Sequence, residues 1–127
     1  MLRSSGPAAK PEIKRVIDEI LKEDKQYDQS ENRSAHRESL VRHVAIAPRQ
    51  SSEGAAKPKS GFSRNVSATG IGLITNFKIE DKSVALIVIE RLGANFKPPT
   101  ILSECRWCRP YGENWFLSGW QFINLKR

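Results

Sequence analysis

The sequence predicts a mainly β chain, a small antiparallel sandwich or barrel preceded by one amphipathic α-helix. Three observations carry this expectation. Apolar residues recur at helical spacing only near the N-terminus; from Arg42 onward short runs carry strand-like patterning; and Gly-, Pro- and Asn-bearing links join those runs with no helical pattern between them. The chain has 127 residues and 39% hydrophobic content, which suits one core rather than two.

Residues 1–10 are rich in Ser, Gly, Pro and Ala and read as a loose tail. From Pro11 the apolar residues Ile13, Val16, Ile17, Ile20 and Leu21 share one helical face, with Asp18, Glu19, Lys22 and Glu23 opposite. Proline suits a first helical turn because its missing N–H would have had no partner there, and Glu12 complements the helix dipole. An amphipathic helix of about four turns follows. Gln26 to Glu38 is almost entirely polar and reads as a frayed continuation or a connecting arm.

The first strand is expected from near Arg42 through His43-Val-Ala-Ile-Ala47, ended by Pro48. Residues 49–61 have loop composition. Further strands are expected at Phe62–Arg64, Ile71–Phe77, Ser83–Glu90, Ile101–Cys108 and Trp115–Phe122, with turns at Asn65–Gly70, Glu80–Lys82, Gly93–Pro99 and Pro110–Asn114. Trp107, Trp115 and Trp120 alternate with polar residues, which places them in the barrel core or at its ends.

The net charge is +7 and the pI near 9.7, so phosphate-bearing partners are favoured. There is no polybasic block, zinc-finger, homeodomain or RNP-like pattern, and neither DNA nor RNA is the expected partner. The longest strongly apolar run, Val84 to Ile89, is far too short to span a bilayer, and the N-terminus lacks a secretory signal pattern, so a cytoplasmic location is expected. Two cysteines are too few for a disulfide framework.

The segment Arg64-Asn-Val-Ser-Ala-Thr-Gly-Ile-Gly-Leu73 carries Asn65, Ser67 and Gly70 in the spacing Asn-x-Ser-x-x-Gly. As local chemistry this is a turn: Asn and Ser bond their own backbone, and Gly tolerates a positive φ. Downstream, Glu104 to Arg109 and then Trp115 to Phe122 form an aromatic strand followed by a strand containing Gly119-Trp-Gln-Phe122; upstream, an arginine-rich stretch leads into the first strand. In this order, these segments resemble the PilZ domain family over about residues 33–125. The resemblance implies a small antiparallel β-barrel over residues 33–127, with residues 11–32 forming helix and arm. It also implies a cytoplasmic receptor for cyclic di-GMP, a bacterial second messenger, without catalytic activity, cofactor or metal.

The resemblance further implies that the ligand is held by an Arg-x-x-x-Arg motif together with Asn65, Ser67 and Gly70. Cyclic di-GMP presents two phosphodiesters and two guanine edges, and a forked guanidinium suits both. Two registers are open. The pair is Arg37 and Arg42, with one extra residue between them, or Arg33 and Arg37 on a longer arm. The runner-up function is a nucleotide-independent interaction or assembly module on the same barrel. The helical stripe is expected to pack on the barrel, on a second copy or on a downstream protein, and ligand binding to rearrange arm and helix.

Cys105-Arg-Trp-Cys108 has redox or zinc spacing, but no second cysteine pair completes a zinc site, and in a regular strand positions three apart face opposite sides. His36 and His43 lie on or beside the arm and Ser67 has no evident base, so no catalytic constellation is expected.

Overall fold

The computed structural model describes residues 9–23, 38–48, 58–93 and 95–126. Pro11 opens α1 (Pro11–Lys22), preceded by Lys10 in an extended conformation; Glu12 in the first turn and Lys22 in the last complement its dipole. It has 12 residues, about one turn shorter than the sequence suggests, and it stops at Glu23, whose N–H bonds the carbonyls of Ile20 and Leu21. Ile13, Ile17, Ile20 and Leu21 are buried in the same cluster as the barrel interior. Ile13, Ile17, Ile20 and Leu21 are thus covered within this chain, and Val16 packs partly buried at the edge of the same cluster.

Among the described residues seven strands follow: β1 (Glu38–Ser39), β2 (His43–Pro48), β3 (Lys59–Val66), β4 (Gly70–Thr75), β5 (Val84–Ile89), β6 (Thr100–Pro110) and β7 (Phe116–Lys126). Every pairing is antiparallel. The order β3-β2-β5-β6-β7-β4 closes on itself through β3–β4, giving a six-stranded barrel, and β1 lies beside β3 as an extra strand. Alternation explains the interior: Val44 and Ile46 of β2, Ala85, Ile87 and Ile89 of β5, and Ile101 and Cys105 of β6 are buried. β1 is the element the sequence did not reveal, because Glu38 and Ser39 are two polar residues without periodicity. Glu38 therefore belongs to the sheet, not to the arm in which it was expected.

The β6–β7 ladder skips Arg106, between the pairs Cys105↔Trp120 and Trp107↔Gly119. This bulge reverses the phase of β6. Cys105 faces the interior opposite Trp120, and Cys108 pairs with Ser118, whose Oγ accepts the inward Trp120 Nε1–H at 2.9 Å. The two cysteines therefore face the same side, contrary to the regular-strand expectation, because the extra residue breaks the period of two. The same bulge turns Trp107 outward, and Trp115 sits on the β6–β7 turn; both are exposed, while Trp120 is buried in the core.

The helix crosses one end of the barrel. At its start Lys10 Nζ donates to Asn124 Oδ1 at 2.7 Å, and at its end Glu23 accepts from Arg91 Nε and from the Leu92 N–H. Among the described residues no helix is long and apolar enough to cross a membrane.

Candidate ligand-binding face

Asn65 and Val66 end β3, and Gly70 begins β4. Between them the chain reverses through a turn organised by Ser67, whose backbone N–H donates to Gly70 O at 2.9 Å and whose Oγ accepts from the Thr69 N–H at 3.2 Å. The Ser67 hydroxyl also lies 3.3 Å from Thr69 Oγ1. Thr69 O in turn accepts the Phe122 N–H at 2.8 Å, which fastens the turn to β7. The local chemistry of Asn-x-Ser-x-x-Gly is therefore realised as a hydroxyl-stabilised turn at a strand junction.

Asn65 begins a row across the outside of the barrel. The register places Ser39 beside Asn65, Asn65 opposite Gly72, Gly72 opposite Gly119, and Gly119 opposite Trp107. Both glycines are required by close approach: a Cβ on Gly72 would fall 2.6 Å from Asn65 Oδ1, and one on Gly119 would collide with the Trp107 indole. Asn65 and Trp107 thus lie flat over glycine seats at the two ends of the row. Above Trp107 stacks the Arg109 guanidinium, 4.8 Å from the ring centroid.

An adjacent row runs Phe62–Ile74–Leu117–Arg109. Arg64, at the register shift between these rows in β3, lies 5.7 Å from the centroid of Tyr111. Val41, Phe62, Ser63, Arg64, Ile74, Tyr111 and Trp115 enclose a surface groove of about 370 Å³. Sequence reasoning had assigned no site role to Trp107, Tyr111, Trp115, Arg64 or Arg109. The available signal was glycine within β4 and β7, which marks places where another group lies against the backbone.

The arginines separate. Arg33 and Arg37 fall outside the described residues. The chain enters the sheet immediately after Arg37, with Glu38 opposite Val66 and Ser39 opposite Asn65, so the C-terminal end of the arm is joined directly beside the Asn65–Gly70 turn. Arg42 is only 6% exposed and follows the inward alternation of Leu40 and Val44. Its backbone N–H donates to Ser63 Oγ at 2.8 Å, and Ser63 Oγ donates to Leu40 O at 2.6 Å. Its Nη1 donates to Val41 O at 3.1 Å and its Nη2 lies 3.9 Å from Glu23 Oε1; among the described residues neither Nε nor Nη2 has a hydrogen-bond partner. The structure therefore joins Asn65, Ser67 and Gly70 at one turn and directs Arg42 to the end of the barrel under α1.

Burial pushes the Cys105 thiol up to about 11, which keeps it protonated and a poor nucleophile at neutral pH. Among the described residues no group of His, Cys, Asp and Glu side chains could hold a metal ion. Comparison of the chain with models of known protein families and with curated proteins gave no match.

Proposed function

We propose that this chain is a cyclic di-GMP receptor of the PilZ type, acting in the cytoplasm as an adaptor that binds the nucleotide without transforming it. One observation carries the reading: Asn65-x-Ser67-x-x-Gly70 forms the β3–β4 turn of a closed six-stranded barrel, and β1 pairs the residues that follow the arginine-bearing arm with Asn65 and Val66. Arginines on that arm would meet a ligand resting against the turn. Because Arg42 points inward, we assign the arginine pair to Arg33 and Arg37. Their guanidinium forks suit the guanine O6/N7 edge and the phosphodiesters, while Asn65 and Ser67 supply directional contacts and Gly70 permits close approach.

A ligand that grips both arm and turn would fix the arm's path from Glu23 to Glu38. The arm's polar composition offers little apolar surface to offset ordering entropy, so binding would order it at some expense of affinity. Since Glu23 ends α1, that ordering acts on the anchored end of the helix and would bias its contacts through a population shift. The exposed patch of Val41, Phe62, Tyr111 and Trp115 favours a second reading, a protein-interaction module independent of nucleotide.

Equilibrium titration of cyclic di-GMP into wild type, Asn65→Ala and Ser67→Ala separates the two. The receptor reading expects binding that each substitution weakens at least tenfold while the fold persists. Identical affinity in all three would remove the turn from the site, and absence of binding in the wild type would leave the interaction module.

A further inference from the structure

The outer groove beside the Asn65 row combines features seldom left together on a surface without a ligand. Val41 is 66% exposed, Phe62 45%, Tyr111 44% and Trp115 42%, and all four line the same groove. Contiguous exposure of large apolar side chains marks a binding surface more often than a scattered exposed residue does. Charge narrows the class of ligand. Among the described residues no carboxylate lines the groove, and Arg64 is the one charged residue that does.

Arg64 rests over Tyr111, and Arg109, on the adjacent row of the same face, rests over Trp107. Among the described residues neither arginine has a carboxylate within ion-pair distance. A guanidinium lying on an aromatic ring is held in place while its N–H edge stays open to an anion. Along the ladder from β3 through β4 and β7 to β6, Ile74 and Leu117 lie between the strands that carry these arginines. Aromatic faces for stacking, bordered by Arg64, which has no carboxylate partner among the described residues, complement a planar base carrying phosphate. A groove of about 370 Å³ suits one small ligand or nucleotide unit.

We propose that this groove is a purine-nucleotide subsite: Tyr111 and Trp115 present faces for one base, and Arg64 meets the attached phosphate. The proposal rests on the receptor reading above and extends it, because Arg64 directly precedes Asn65. One guanine of cyclic di-GMP would lie against the Asn65–Gly70 turn and the other in the groove. Specificity for a dinucleotide over a mononucleotide would then come from occupying both.

The test is calorimetric titration of cyclic di-GMP into the full chain and into Trp115→Ala, Arg64→Ala and Arg64→Lys, with melting temperatures measured alongside. Both side chains project outward, so folding should be retained. The inference expects wild-type binding, at least a tenfold loss in Trp115→Ala and in Arg64→Ala, and only partial recovery in Arg64→Lys, which keeps the charge but loses the planar stack. Tight wild-type binding with unchanged affinity in the variants overturns the groove subsite and leaves the receptor reading standing. Absence of wild-type binding overturns both. A concentration-dependent dimer of the wild type, abolished by Trp115→Ala and unaffected by nucleotide, would show that a second copy covers the groove and would overturn the subsite.

Discussion

Glu23 accepts a hydrogen bond from Arg91 Nε at 2.5 Å, joining the end of α1 to the chain just beyond β5. Both side chains are largely buried, at 12% and 7% exposure, and the Leu92 N–H adds a second donor at 3.1 Å. Removing Glu23 leaves the buried Arg91 with only the half-exposed Glu19, 4.0 Å away, so Glu23→Ala is expected to cost about 3 kcal/mol. The exposed Lys14–Asp18 pair is the internal control, and Lys14→Ala should cost no more than about 0.5 kcal/mol. Urea denaturation checks both; equal losses would show that Glu23 does not anchor the helix.

Arg42 makes the opposite prediction. Its guanidinium is buried with Nε and Nη2 lacking hydrogen-bond partners among the described residues, and Glu23 keeps Arg91 when Arg42 is removed. Replacement by an apolar side chain of similar length, Arg42→Met, should therefore stay within about 1 kcal/mol of wild type or stabilise the fold. It should also leave cyclic di-GMP binding intact, whereas Arg37→Ala should weaken it by about 1.5–3 kcal/mol, the scale of charged hydrogen bonds. Loss of binding in Arg42→Met with Arg33→Ala silent would instead identify Arg37 and Arg42 as the pair.

Gly119 is the seat of the Trp107 ring, so Gly119→Ala forces the indole outward. The expected cost is about 1–3 kcal/mol, typical of overpacking, together with a red-shifted tryptophan emission as Trp107 gains water. Adding Trp107→Ala removes the clash and should recover much of the loss; no recovery would show that the strain lies elsewhere.

The Cys105 thiol, raised to about 11 by burial, gives a pH dependence of defined sign. Above the ordinary thiol range the unfolded chain loses this proton while the folded chain keeps it, so stability falls as pH rises from about 9 and levels off above about 11. The decrease attributable to this group is roughly 3 kcal/mol. It should be absent from the stability–pH curve of Cys105→Val. Alkylation at pH 8 should label Cys108 well before Cys105; prompt labelling of Cys105 in the native state would contradict the assignment.

How much of this was legible depended on periodicity. Ile13, Ile17, Ile20 and Leu21 announced a helix, and Val44 with Ile46 announced a strand, because each stripe meets the core at its own repeat. β1 was hidden because Glu38 and Ser39 acquire their strand conformation from pairing with Val66 and Asn65, a contact between residues more than twenty-five positions apart. The inward turn of Cys108 and the outward turn of Trp107 depend on one bulge at Arg106, which composition does not mark. The motif Asn65-x-Ser67-x-x-Gly70 was readable as a turn, but the aromatic groove beside it was not. Val41, Phe62, Tyr111 and Trp115 lie on separated segments, and only closure of the barrel brings them together.

The central claim is that this barrel binds cyclic di-GMP, and isothermal titration calorimetry of the folded chain tests it most directly. The account predicts saturable binding with a dissociation constant of about 1 μM or below, weakening as salt is raised because guanidinium–phosphate pairing contributes. Absence of heat with ligand near ~1 mM, on protein shown to be folded, would contradict it.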